Sequence, residues 1–390
     1  MSNRFILILL CLFMALHVEC VSKDNAISNV PTIYVNANNA VDSTLYDVCD
    51  SVIIIPLEDT NIYVGSQASE QIMVSDEYIF VTYDNRTKID LFDMNGKKHH
   101  TLDLVGRGPG EYLRIHKIFY CNMTNELYLL SGVDKKVLTY RIPDFTFIRE
   151  TEYSEYVRGF WKFDSLSSIG LFYEEGNFEY KFIRNLPLKE QFVSTNPISK
   201  MWIDEGYGVS LSDTMLLFVD QNTEPTLNGI NSDTLIPLCK INYGNRAFDN
   251  KEAFWGDDFS YIYKFTSRFQ LDNAVGLMLL PSISDDRVSF MYANGSINLN
   301  SLQYAVYDRK SHDVNIYSSL RFKNIPNNIY PYSVYGDFFV TLIVPENFVP
   351  QNTNDLDKAG EYINSELNRV ANTPEAICTP FIMLYRLRSN

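Results

Sequence analysis

At 390 residues and a formal net charge of −15, the chain is long enough to bury a large core and too acidic to be drawn to a phosphate backbone or an anionic headgroup surface. No Lys/Arg stripe reverses that sign locally: the nearest basic run, Lys97-Lys98-His99-His100, falls at a predicted strand-to-strand turn and reads as a solvated hairpin tip. Apart from Cys11 and Cys20 near the N-terminus, Cys49, Cys121, Cys239 and Cys378 match neither a disulfide framework nor a zinc-ligand spacing and read as small buried apolar residues.

Met1 to Arg4 carries one positive charge and runs into the apolar segment Phe5 to Leu16. A membrane span needs about 20 apolar residues, so residues 1–20 read as a signal peptide and the remainder as exported. Cys20 stands where a lipid would be attached after cleavage. His17-Val18-Glu19 before it lacks the small side chains that signal peptidases favour, and ordinary secretion is the alternative. Residues 21–48, rich in Asn, Ser and Asp with one strand-like run at Thr32 to Val35, read as a tether, and globular structure is expected over residues 49–390. Val52-Ile53-Ile54-Ile55-Pro56-Leu57 predicts a buried strand, because its apolar run is continuous and ends in proline.

Tyr78 to Leu104 overlays Glu126 to Glu152 without a gap at an offset of 48 residues, matching Ile79 with Leu127, Val81 with Leu129, Ile89 with Val137 and Phe92 with Tyr140. A strand-rich unit recurring at that interval is what one blade of a propeller requires. Blade-like units are predicted at about 72–105, with Asn95-Gly96 as hairpin turn, 115–153, with Pro143-Asp144 in the same place, 158–194, with Glu175-Gly176-Asn177, 208–243 and 265–322. A sixth, at 332–344, is expected to borrow Thr379 to Leu387 and Val52 to Leu57, since pairing the two chain ends removes open edges. Asn354 to Ala371 places Leu356, Ala359, Ile363, Leu367 and Val370 at helical spacing. It predicts a helix lying against the sheets, with Asn352, Thr353 and Asn354 as acceptors for its first amides. The expected fold class is all-β: a six-bladed β-propeller closed by its N- and C-terminal strands, with one C-terminal amphipathic helix.

Gly106-Arg107-Gly108-Pro109-Gly110-Glu111-Tyr112 follows the first unit. Its glycines permit backbone angles closed to other residues, and Pro109 fixes its own φ. A rigid corner is predicted, leading from the outer strand of one blade to the inner strand of the next, with Tyr112 packed between blades and Glu111 accepting from turn amides. As a phosphate cradle the segment fails on context. Leu113 to Ile118 alternates like a strand and opens no helix, and no Gly-Lys-Ser/Thr is present. Together with Pro56-Leu57-Glu58, the turn Phe92 to Gly96 and the terminal run Leu384 to Leu387, this corner resembles the six-bladed β-propeller lipoproteins of Bacteroidota-type bacteria over about residues 50–390. The resemblance implies a propeller fold at the cell envelope with no assigned biochemical activity. The chain departs from that family in the residues before Cys20.

No Gly-x-Ser-x-Gly elbow, His-Glu-x-x-His helix, EF-hand loop or Cys/His ligand pair occurs, so no metal or cofactor is expected and catalysis is the less favoured reading. Asp257-Asp258 and Asp285-Asp286 read as solvated loops, with calcium or substrate binding as the alternative. Trp161, Trp202 and Trp255 each fall near an expected connection, and a flat ring beside acceptors such as Asp257 and Asp258 suits a sugar; packing between blades is the competing reading. The function expected is a non-enzymatic binding module for carbohydrate, peptide or an envelope protein, outer-membrane-associated or periplasmic, touching membrane only through a lipid on Cys20. Its rivals are a propeller lyase or hydrolase with a central-axis site, and a structural subunit of an envelope complex.

Overall fold

The structure, a computed structural model, describes residues 30–58, 71–153, 156–162, 167–174, 177–184, 189–192, 209–212, 215–220, 225–231, 234–244, 275–294, 302–348, 355–373 and 377–389. The chain enters through β1 (Thr32–Tyr34), a 3-10 turn at Ala37–Asn39, β2 (Val41–Thr44), the one-turn helix α1 (Leu45–Val48) and β3 (Cys49–Pro56). Sheet 1 follows as β4 (Ile72–Val74), β5 (Tyr78–Tyr83), β6 (Lys88–Asp93) and β7 (Lys98–Leu102), and sheet 2 as β8 (Lys117–Cys121), β9 (Glu126–Ser131), β10 (Lys136–Arg141) and β11 (Thr146–Glu152). Sheet 3 holds β12 (Tyr156–Lys162), β13 (Ser167–Glu174), β14 (Asn177–Arg184) and β15 (Lys189–Phe192). Sheet 4 is built from β16 (Val209–Ser212), β17 (Met215–Asp220), β18 (Thr226–Asn231) and β19 (Thr234–Asn242), with β1 added beside β19. Sheet 5 comprises β20 (Val275–Ile283), β21 (Arg287–Asn294), β22 (Leu302–Asp308) and β23 (Val314–Arg321), with β2 added beside β23. Sheet 6 is β24 (Ser333–Tyr335), β25 (Phe338–Ile343), β26 (Phe381–Leu387) and, from the other end of the chain, β3.

The 48-residue offset seen in the sequence carries β5 onto β9 and β6 onto β10, so the repeat is one of paired strands. These middle strands are buried on both faces, and their apolar runs are therefore nearly continuous. The core lies between neighbouring sheets. Phe80, Leu91 and Leu102 of sheet 1 pack with Ile118, Leu129 and Leu138 of sheet 2, while Ile79 and Phe92 on the opposite face of sheet 1 pack with Ile382 and Leu384 of sheet 6. Each such side chain contributes about 1.5–3 kcal/mol on burial. The first strands of the sheets also touch: β4 meets β24, β24 meets β20, β20 meets β16, and β8 meets β12.

β3 pairs with β26 antiparallel, from Phe381 opposite Pro56 to Leu387 opposite Cys49, and joins the two ends of the chain in one sheet. The residues read from sequence as a tether are, from Val30 onward, part of the fold. β1 runs parallel to β19 with Thr32 opposite Lys240, and β2 runs parallel to β23 with Val41 opposite Tyr317. Val41 to Thr44 carries no strand pattern in its sequence, since an added edge strand can rest on backbone partners, whereas the strand-like Thr32 to Tyr34 also buries Ile33 in the core.

The helix begins later than its sequence pattern predicts. α2 spans Lys358–Asn372, and its cap is Asp357, whose Oδ1 accepts from Gly360 N at 2.8 Å while Oδ2 accepts from Lys323 N at 2.7 Å. A carboxylate that satisfies two segments at once fixes the start better than the upstream asparagines. Ala359 and Ile363 are buried against sheets 5 and 6, and Glu361, Ser365, Asn368 and Arg369 face solvent.

Candidate functional site

The Gly-rich corner links β7 to β8. Gly106 N donates to Tyr112 O at 3.0 Å and Tyr112 N to Leu104 O at 3.1 Å, closing the loop on itself. The Glu111 carboxylate lies inside it, accepting from Gly108 N at 2.7 Å, and Glu150 accepts from Gly110 N at 3.3 Å. The amides that a phosphate would need are thus turned to the chain's own carboxylates. Tyr112 is fully buried, with its hydroxyl donating to Thr87 O at 2.8 Å, and Tyr140 of sheet 2 donates to Gly110 O at 2.9 Å. Gly110 has φ +73°, and a Cβ there would approach Phe147 Cγ to 2.8 Å, so the position requires glycine twice over. The geometry is that of a joint between sheets 1 and 2.

At the turns between the first and second strands of the sheets lies a different arrangement. The exposed carboxylate of Asp76, between β4 and β5, accepts from Tyr335 Oη of sheet 6 at 2.6 Å and from Asn122 Nδ2 of sheet 2 at 3.1 Å. Ser282 of β20 donates to Gly336 O at 2.6 Å and brings sheet 5 to the same turn of sheet 6. Turns of sheets 5, 6, 1 and 2 are therefore laced together at one end of the molecule. Close by, Tyr78 at the start of β5 meets Tyr120 edge-on at 5.9 Å and His99 at 6.2 Å, and Met123 beside Asn122 is 66% exposed. The junction offers a carboxylate, an amide, phenol rings and a thioether to solvent.

A buried charge network braces that end. Arg287, at the start of β21, reaches Asp50 of β3 at 3.0 Å, Asp286 at 3.0 Å and the carbonyl of Leu387 at 2.6 Å. Arg386 of β26 pairs with Asp50 at 2.7 Å and with Asp337 at 3.3 Å. Hydrogen bonds from Arg287, and then from Ser284, hold the Asp286 carboxyl below the usual carboxylate range. Burial opposes the charge of Arg287, yet Asp286 and Asp50 outweigh it and raise its pKa above the ordinary guanidinium value. Asp286 is thus an ion-pair partner, where the sequence suggested a solvated loop.

The other residues singled out from sequence divide in two. Trp161 lies in β12 opposite Ile169, with its side chain outside the described set, and Trp202, Trp255, Asp257, Asp258 and Cys20 lie outside the described residues. Cys49, Cys121, Cys239 and Cys378 are free and buried. The basic run is not a hairpin tip. The turn closes at Gly96 N to Asp93 O, 2.9 Å, so Lys98, His99 and His100 belong to β7, and Lys98 Nζ pairs at 2.9 Å with the buried Asp90. Among the described residues no group of three His, Cys, Asp or Glu side chains could hold a metal ion. Asp76, Asn122 and Tyr335 carried no sequence signal, because single turn residues lying 46 and 259 positions apart are joined only by the packing of three sheets.

Repeated four-stranded antiparallel sheets, packed face to face and touching along their first strands, define a β-propeller-like protein. Over residues 30–385 the chain matches the family described as Domain of unknown function (DUF4934), and it belongs to that family. Among solved structures it is similar to a Bacteroides fragilis NCTC 9343 protein named "Putative exported protein", with TM-score 0.66 and 10% identity over 92% of this chain and 99% of that one. At such identity the likeness concerns the fold alone. A DUF4221 family member from Bacteroides vulgatus ATCC 8482 (TM-score 0.43, 10% identity, 88% and 98% of the two chains) and a streptogramin B lyase (0.40, 9%, 89% and 90%) superpose too loosely to bear on function. No functionally curated protein matches the chain.

Proposed function

We propose that the six sheets are the blades of a propeller closed where β3 pairs with β26, and that the exported protein serves as a non-enzymatic recognition module at the cell envelope. The observation that carries this reading is the junction at Asp76, where turns of three sheets converge on one exposed carboxylate. A carboxylate has about four lone-pair directions, and the two donors from Tyr335 and Asn122 leave the others for a ligand. A phenol ring beside acceptors suits a hydroxyl-rich ligand, with carbohydrate as the first candidate. Because each partner stands on a different sheet, the site is ordered before binding and loses little freedom on it. Export is supported by the leader Phe5 to Leu16 and by the fold shared with the B. fragilis protein, and Cys20 is the lipid-attachment residue in this reading.

The test is a thermal-shift screen of residues 21–390 against polysaccharides, oligosaccharides and peptides, since a ligand of the folded state raises its stability by mass action. A reproducible rise with one glycan class, abolished in Asp76→Ala and Tyr335→Phe variants that melt like the parent without ligand, is the expected result. A rise retained in both variants would move the site elsewhere, and no rise across the panel would refute glycan recognition.

A further inference from the structure

The carboxylates at the laced end of the molecule differ in how their charge is answered. Asp50 and Asp286 pair with Arg287, and Asp50 and Asp337 with Arg386. Asp76 has no such partner. Its contacts are the Tyr335 hydroxyl at 2.6 Å and the Asn122 amide at 3.1 Å, both neutral. Glu77, next in the turn, is exposed, and among the described residues no Lys, Arg or His side chain pairs with either acid. The imidazole of His99, beside Tyr78, faces Asp93 at 3.7 Å. Burial first, and then the Glu77 carboxylate, raise the hydroxyls of Tyr120 and Tyr78 above their ordinary pKa, so both phenols stay neutral beside two negative charges. Building on the glycan recognition at Asp76, we propose that the ligand of this junction is a glycan with free, protonated amino groups, its ammonium held by the Asp76 carboxylate against the rings of Tyr78 and Tyr335.

A carboxylate whose donors are neutral keeps its full charge for a ligand, and a bond from a cation to it is about twice as strong as one from a neutral hydroxyl. Aromatic faces attract a cation within about 6 Å of the ring centroid. Tyr78 and Tyr335 are half-buried at the turn, and Tyr78 is steadied edge-on by Tyr120 at 5.9 Å. Asp76 is held from two other sheets, so it is aimed before the ligand arrives. Met123, 66% exposed beside Asn122, gives the sugar ring an apolar contact. An acidic glycan would meet like charges at Asp76 and Glu77. A net charge of −15 attracts any polycation, so the test has to separate this site from the field of the whole chain.

Residues 21–390 are titrated by calorimetry with oligomers of glucosamine and with the same oligomers N-acetylated, which keep the ring hydroxyls and lose the cation. The buffer is held at about pH 6, above the ordinary Asp pKa of about 3.9, and at about 0.15 M salt to screen distant charges. The free amine should bind about tenfold or more tightly than its acetylated form, and Asp76→Asn should abolish that preference. Glu361→Gln, which removes one charge from the solvent face of α2, should keep it. If Asp76→Asn fails to fold, Glu77→Gln decides in its place by weakening the preference. Equal binding of the two oligomers, lost in Asp76→Ala, overturns the proposal and leaves glycan recognition standing, whereas binding of neither refutes both. A preference retained in Asp76→Asn, or lost equally in Glu361→Gln, belongs to the overall charge and overturns the proposal. So does binding of oligolysine without either oligomer, which would give the junction to a basic peptide.

Discussion

Replacing Arg287 with alanine strikes the point where sheet 5, the N-terminal strand and the C-terminal strand are tied together. Arg287 is 5% exposed, and it serves Asp50, Asp286 and the Leu387 carbonyl at once. Removing one partner of a buried ion pair costs about 3–5 kcal/mol, because the remaining charge stays buried without its counter-charge. Here the loss is moderated in two ways. Asp286 is 41% exposed and can rehydrate, and Asp50 keeps Arg386 at 2.7 Å. The Leu387 carbonyl adds about 1–3 kcal/mol for a buried acceptor left without its donor. The expected total is about 3–4 kcal/mol. Arg287→Lys should fall between parent and alanine, since it keeps the charge and loses the fork that reaches three groups. The comparison is Arg369→Ala, whose pair with Glu366 at 2.7 Å and bond to Ile377 O at 2.7 Å lie on the exposed face of α2, where water replaces the lost partner, so its cost should be clearly smaller. Urea unfolding followed by far-UV circular dichroism measures both, with the slope checked for constancy. A loss for Arg287→Ala no larger than for Arg369→Ala would refute the idea that this network holds the chain ends together.

Three further outcomes are expected. Gly96 has φ +81° and a Cβ there would lie 1.8 Å from Pro56 O, whereas Gly336 has φ +56° with open space around it; Gly336→Ala should cost about 1 kcal/mol and Gly96→Ala about 2–4 kcal/mol in the same unfolding assay. Equal losses would mean that the turn does not press on β3. Burial pushes the pKa of Asp357 up despite its two backbone donors, and asparagine offers one acceptor where Asp357 uses two, so Asp357→Asn should lose about 1–2 kcal/mol and Asp357→Ala, which loses both acceptors, about 2–4 kcal/mol. A larger loss for asparagine than for alanine would contradict the capping role. Asp286 titrates below its unfolded value, so its contribution is complete above the unfolded pKa of about 3.9 and is lost only as pH falls through the lower folded value. The stability gap between parent and Asp286→Asn should stay constant from neutral pH to about 5 and shrink below about 4; a gap already closed at pH 6 would show that Arg287 is not what holds this carboxylate.

The repeat of apolar pairs at an offset of 48 residues fixed the strands of sheets 1 and 2, because strand burial repeats with the strand itself and is written in consecutive residues. Val52 to Leu57 and Thr379 to Leu387 were legible as partners because two apolar strands left over at the chain ends have each other to pair with, although β3 proved to be the half-exposed outer strand of sheet 6 rather than the buried strand its continuous apolar run suggested. Gly96 and the Gly106–Tyr112 corner also announced themselves, since their backbone angles admit few residue types. The tertiary structure decided what rests on single contacts between distant segments. Val41 to Thr44 became an edge strand through backbone pairing that asks little of its side chains, and the strand-like Thr32 to Tyr34 found its place beside β19 by burying Ile33 as well. Asp357 displaced the upstream asparagines as helix cap because Lys323 N was within its reach. Asp76 met Tyr335 and Asn122, and Arg287 met Asp50, only once separate sheets were packed side by side, and no periodicity along the chain encodes a meeting of turns.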